Sequence, residues 1–188
     1  MPKIVDREKM QNKIFSAFQE CVNEKPLFNV SIRDVEKKAG ISHQEILYFF
    51  NTKQNLIICY VKHISKLYSE YYDSWQEFSV EKDGDFLKYI ERKLYELLNG
   101  DSKIHSRTFS QICVMAFYDD EIKEIIVEAY DSWRNTLKNL LRDVYGFDDS
   151  SAADALLSFV EGLQFYDMNH SIDPAEVLVI LNSLKKLT

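Results

Sequence analysis

Ser31 and Ser42 stand eleven residues apart, and each is followed three positions on by a carboxylate, Asp34 and Glu45. A hydroxyl residue followed at that spacing by an acid is the pattern of a capping box, in which side chains satisfy the free backbone donors of a helix start. Behind Ser31, Val35 and Ala39 share one face, and Gly40 stands where a left-handed C-cap ends a helix. Behind Ser42, Ile46 and Phe50 share a face, and only Gly40 and Ile41 separate the two segments. Residues 31–50 therefore predict helix, tight turn, helix, each too short to be stable without cover. The segment from Arg7 to Glu24 supplies that cover, since Met10, Ile14, Phe18 and Cys21 recur at steps of three and four, flanked by Ala17 and Val22.

Asn51 and Thr52 break this pattern and cap a long helix from Lys53 to Phe78, on the order of 40 Å at 1.5 Å per residue, with Leu56, Tyr60, His63/Ile64, Leu67 and Tyr71 as its stripe. Beyond a break at 81–84, helical patterns run from Phe86 to Leu98, Ser102 to Phe117, Asp119 to Tyr145, Ser150 to Asn169 and Pro174 to Leu187. No strand alternation or repeat interrupts them, and 5 Gly and 3 Pro in 188 residues are too few for a sandwich or barrel of tight turns. The expected fold is all-α with about nine helices: a three-helix unit over residues 1–50 and a larger helical domain over 51–188.

The longest uncharged stretch, Thr108 to Tyr118, is far shorter than the roughly 20 residues that span a bilayer, and residues 1–10 lack the apolar run of a secretory signal. A cytoplasmic protein is expected. Cys21, Cys59 and Cys113 are odd in number and sit in apolar helical patterns, which disfavours disulfides and zinc clusters. Cys59 and His63, one turn apart, could hold a metal, but no second pair at ligand spacing accompanies them, so a structural role is expected and no metal or cofactor is assigned. His105 and His170 are isolated, and no phosphate-binding glycine loop or nucleophile with a recognisable base is present, so the enzyme reading has no residues to name. Charge is divided unevenly: residues 1–66 carry 11 basic and 7 acidic side chains, and residues 67–188 carry 12 and 23. A basic front and an acidic back suggest two tasks.

The stretch 31–42 (SIRDVEKKAGIS), with Ile46-Leu47-Tyr48-Phe49-Phe50-Asn51-Thr52-Lys53 after it, closely resembles the DNA-binding region of the tetracycline-repressor (TetR) family, including the preceding amphipathic helix and the Lys that opens a long connecting helix. Weaker similarity extends through Phe117–Ile122, Tyr130–Arg134 and Ala152–Leu163. The residues agree with that resemblance. Helix starts at Ser31 and Ser42 present free N–H groups to phosphate oxygens, and Arg33 and Lys53 add charge-assisted phosphate contacts. His43, Gln44 and Tyr48 are the outward residues for base reading, Gln44 by a bidentate pair with adenine. The family's usual Lys-Gly-Thr-like trio is replaced by His43-Gln44-Glu45, a common phosphate-binding Tyr by Leu47, and a frequent His by Phe49. Glu45 either faces the groove, where it repels phosphate or accepts from cytosine, or serves only as the capping partner of Ser42.

The resemblance implies a transcriptional repressor that binds a palindromic operator of double-stranded DNA as a homodimer and is released by a small-molecule effector. The acidic half is rich in aromatics, and Phe109, Cys113, Phe117, Tyr130 and Trp133 are candidate effector-lining residues, with core packing as the plain alternative. Its charge and rings point to an apolar or cationic-amphipathic effector. Phe159, Gly162, Leu163, Val177, Leu181 and Leu184 are candidates for a four-helix dimer seam. A reading from another class is a helical small-molecule-binding or signalling module that no longer binds DNA, motivated by Glu45 and Leu47.

Overall fold

The computed structural model describes residues 6–79, 82, 84–99, 102–146, 150–170 and 179, and every regular element among them is helical. Eight α-helices are present: α1 Arg7–Glu24, α2 Ile32–Ala39, α3 His43–Phe50, α4 Lys53–Asp73, α5 Phe86–Asn99, α6 Ser102–Met115, α7 Asp120–Tyr145 and α8 Ser150–His170. The ninth expected helix, Pro174 to Leu187, lies outside the described residues, as do Val177, Leu181 and Leu184.

Helices α1–α3 form a head. Both capping boxes are made: Ser31 N–H and Oγ–H donate to Asp34 Oδ2 at 2.8 and 2.6 Å, and Ser42 N–H and Oγ–H donate to Glu45 Oε2, both at 2.8 Å. Gly40 closes α2 at φ 62°, a left-handed position that suits glycine, so the chain turns within two residues and α3 starts at once. Ile14, Phe18, Cys21 and Val22 of α1 meet Val35 and Ala39 of α2 and Ile46 and Phe50 of α3 in one buried cluster. Outside it, Lys38 Nζ pairs with Glu24 at 2.5 Å and Lys25 Nζ with Asp34 at 2.8 Å.

The junction between α3 and α4 is abrupt. Asn51 has φ 60° and ψ −47°, and Thr52 N–H donates back to Phe50 O at 2.7 Å, a γ-turn of a strained kind. Thr52 is then extended and its hydroxyl accepts from Asn55 N–H at 3.0 Å, so one residue ends α3 and the next begins α4.

The α4 helix is shorter than the sequence pattern suggests, ending at Asp73 rather than Phe78, and is followed by a 3-10 turn over Ser74–Glu77. Ser74 Oγ–H donates to Tyr71 O at 2.6 Å, and the turn carries Trp75 inward to complete burial beside Tyr71 and Tyr72, each with ring centroids 5.9 Å away. Likewise α6 stops at Met115, where Phe117 and Tyr118 donate three residues back in a tight turn. Asp119 then caps α7 by accepting from Ile122 N–H at 3.1 Å. In the body, α4 packs along α7, α7 along α8, and α6 lies against α5, α7, α8 and the head. Buried residues of α4 face more than one side, from Leu56 and Ile57 to Tyr68 and Tyr72, because neighbours surround it.

Candidate functional site

Two places collect the residues singled out by sequence. The first is the outer face of the head. Ser31, Arg33, Ser42, His43 and Gln44 are all exposed, and Tyr48 is 80% exposed although α3 has apolar cover on its other side. Lys53 is half-buried, and its Nζ donates to Phe28 O at 2.9 Å. An ammonium group has three donors, so this anchor leaves two for an anion. His43 Nδ1 lies 3.9 Å from Glu36 Oε2. Of the two roles considered for Glu45, the capping one is observed. Its carboxylate accepts both Ser42 donors, and the backbone N–H of Ser42, together with the hydroxyl, holds it below the usual carboxylate range. Leu47 is half-buried.

The second place is an aromatic cluster inside the body. Phe109 from α6 and Tyr130 and Trp133 from α7 are mutual neighbours, with ring centroids 5.1–6.0 Å apart. Tyr68 of α4 stacks on Phe109 at 4.7 Å, and Tyr72 stacks on Trp133 at 5.0 Å. Cys113 joins them, its Sγ 3.8 Å from Tyr130 Oη, and burial pushes its thiol up to about 11. Four of the five candidate lining residues are thus brought together. Phe117 is not with them; it is 82% exposed in the turn after α6, because the helix stops two residues before it.

The sequence reading missed Glu161. It is the one charge in the apolar run from Leu156 to Phe165 of α8, and that interruption was the available signal. Its carboxylate accepts from Tyr72 Oη at 2.9 Å, Tyr130 Oη at 3.3 Å and Gln164 Nε2 at 3.3 Å. Gln164 Oε1 in turn accepts from Tyr68 Oη at 3.1 Å and Ser106 Oγ at 3.0 Å. Its partners among the described residues are all neutral, and desolvation raises it to about 7 in spite of their hydrogen bonds.

Also missed were the polar ties that α6 and the turn after it make to α1, to the segment behind α1 and to the start of α4. Gln19 of α1 donates to Thr108 Oγ1 at 2.9 Å and accepts from Tyr60 of α4, in a buried triad. Leu27 N–H donates to Gln111 Oε1 at 2.7 Å, and Gln54 Nε2 donates to Asp119 Oδ2 at 2.8 Å. Beside these ties runs a groove of about 390 Å³ walled by Pro26, Phe28, Val114, Met115 and Phe165, with Arg107 at its edge.

His63 stacks on Phe15 at 4.8 Å, and Cys59 beside it is half-buried; no cluster of three His, Cys, Asp or Glu occurs among the described residues. On α8, Phe159 and Leu163 are half-buried and Gly162, Phe165 and Tyr166 are exposed. No helix among the described residues is long and apolar enough to cross a membrane.

No family model and no curated sequence matches the chain. Solved structures do. A member of the TetR family from Streptomyces coelicolor is 18% identical, with a TM-score of 0.71 over 93% of this chain and 97% of that one. A transcriptional regulator from Rhodococcus is 20% identical, TM-score 0.70, over 85% and 84% of the two chains. A transcriptional regulator from Saccharomonospora viridis, solved in complex with choline, is 18% identical, TM-score 0.74, over 95% and 96%. The head of short capped helices, the long α4 and the helical body behind it together make the fold of the TetR-family transcriptional regulators.

Proposed function

We propose that this chain is a DNA-binding transcriptional regulator in which residues 1–50 contact the duplex and residues 51–188 bind an effector and form a dimer. The observation that carries the reading is the outer face of α3, where His43, Gln44 and the 80% exposed Tyr48 project from a helix anchored by Ile46 and Phe50. An exposed aromatic and an amide on one face of a capped helix are costly to leave idle and well suited to base edges in a major groove. Ser31, Arg33, Ser42 and Lys53 flank that face as phosphate contacts that fix register. Engagement of Glu45 by Ser42 gives that carboxylate a place as the helix cap, where the free N–H groups at the start of α3 oppose its charge.

A single head covers one half-site, so the operator is a palindrome read by a homodimer. The seam is formed by Phe159, Gly162 and Leu163 of α8 with Val177, Leu181 and Leu184 of the following segment. The effector site is the cluster of Phe109, Cys113, Tyr130 and Trp133, and the chain acts as a repressor released when that site fills. A regulator with the same fold has been solved in complex with choline, which supports the reading that this chain binds a small molecule. Selection of bound duplexes from a random pool tests the reading: an enriched palindrome is expected, and retention of no sequence over the pool would overturn it.

A further inference from the structure

Among the described residues, Glu161 is a carboxylate without a counter-cation. Tyr68 and Tyr72 of α4, Cys113 of α6 and Tyr130 of α7 are the titratable groups facing it, and none carries positive charge. Its hydrogen-bond donors are two phenols and an amide. A carboxylate taken out of water without a paired cation is costly, and neutral donors offset only part of that cost. The surroundings are aromatic: the Tyr130 ring lies 5.1 Å from Trp133 and 6.0 Å from Phe109, and the Tyr72 and Tyr68 rings stand behind them. Ring faces attract cations, most strongly where water is excluded. Cys113, Tyr130 and Glu161 are each only partly buried, whereas Tyr72 and Trp133 are sealed in.

We propose that Glu161 is the charge-recognition residue for an organic cation of the alkylammonium class, bound against Tyr130 and Cys113 with its positive centre paired to the Glu161 carboxylate. This rests on reading the aromatic cluster as an effector site. A ligand of that class supplies the missing charge, keeps its apolar shell among the rings and leaves the phenol hydrogen bonds in place. An uncharged ligand of the same shape gains only the apolar contacts. Pairing requires the ionised carboxylate, so binding expels the proton held by the neutral form. With Glu161 at about 7, roughly half a proton leaves per site at pH 7, and apparent affinity rises about 10-fold from pH 6 to pH 8.

The test is calorimetric titration of the full chain, without DNA, using choline, benzyltrimethylammonium and decyltrimethylammonium, each beside its uncharged isostere in which carbon replaces the quaternary nitrogen. At least one cation is expected to bind about 10-fold or more tightly than its isostere, with proton release seen as a dependence of the heat on buffer ionisation. Glu161→Gln, close in shape and uncharged, should abolish that preference and leave binding of the isostere unchanged. Equal binding of cation and isostere, no saturable binding of any of the three, or an unchanged preference in Glu161→Gln would overturn the assignment. If the variant fails to fold, the pH dependence of the wild-type chain decides alone, and flat affinity between pH 6 and 8 overturns it. Duplex selection is a separate measurement, so failure here leaves the DNA-binding reading intact, and failure there leaves the cation site to be judged on its own titration.

Discussion

Glu161 also makes a measurable claim about folding. An ordinary glutamate releases its proton near 4.5, and in the folded chain desolvation delays that release to about 7. Between those values the folded state holds a proton that the unfolded chain has lost, so the unfolded state binds fewer protons and stability falls as pH rises through the window. The difference corresponds to at most about 3 kcal/mol, complete near pH 8. For a chain of this length that is roughly 6–12 °C in melting temperature. Asp34 and Glu45 act in the opposite sense, because hydrogen bonds from Lys25 and Ser31, and from Ser42, hold them below the usual range; the stability they add is present above their ordinary values and fades only in more acid solution. They are shared by wild type and Glu161→Gln and cancel in the difference. The assay is urea unfolding of both proteins at one concentration and at pH 5, 6, 7 and 8. Wild type should lose stability relative to the variant as pH rises, and a difference that stays flat would refute the claim that this carboxylate is desolvated without a cation.

At the DNA face, Gln44→Ala should relax sequence preference at one base pair at a cost of about 1–3 kcal/mol, whereas Lys53→Ala should weaken all duplexes alike and flatten the salt dependence, both read by fluorescence anisotropy. Asn51→Gly should raise the melting temperature, because glycine adopts the positive φ of that turn more readily, and Asn51→Val should lower stability by about 1–3 kcal/mol. Phe159→Glu should place a charge in the proposed seam and yield monomers by light scattering; an unchanged dimer would remove α8 from the interface. Thr108→Val should cost about 1 kcal/mol in chemical unfolding, by removing one buried hydrogen bond of the Gln19 amide, which keeps Asn23 and Tyr60 as partners.

The head was legible because its signals are local. A capping box, a glycine at a left-handed C-cap and an apolar stripe each act within four residues, so Ser31, Gly40 and Ser42 fix the start and stop of α2 and the start of α3 before any tertiary contact is considered. The end of α4 was not legible for the opposite reason. Nothing between Tyr71 and Phe78 forbids a helix, and it is the burial of Trp75 among Tyr71, Tyr72 and the body that turns the chain. Phe117 shows the same limit, since its spacing from Phe109 and Cys113 fits one helix face only if α6 continues to reach it. Polar residues that join distant elements carry no periodic signal at all: Gln19 and Thr108 are 89 positions apart, and Tyr72 and Glu161 are equally far.

Those long-range polar pairs bear on how a ligand in the body could reach the DNA. Phe109 and Cys113 belong to the cluster, while Thr108 and Gln111, on the same helix and within five residues of them, bond to Gln19 and to Leu27 of the head. A rigid helix that changes position at one of these faces must change it at the other, and the turn after it pulls on Gln54 at the start of α4 through Asp119. If the cluster takes an effector, α6 is the element through which these bonds carry its effect to α1 and to the start of α4. Its reach is bounded by energy: a ligand can shift the head only by the difference in its affinity for the two positions of α6, and the same factor must appear when DNA weakens the binding of the ligand. Glu161 and its donors span α4, α7 and α8, the three helices against which α6 packs, so the cation proposed to pair there would act on α6 through them.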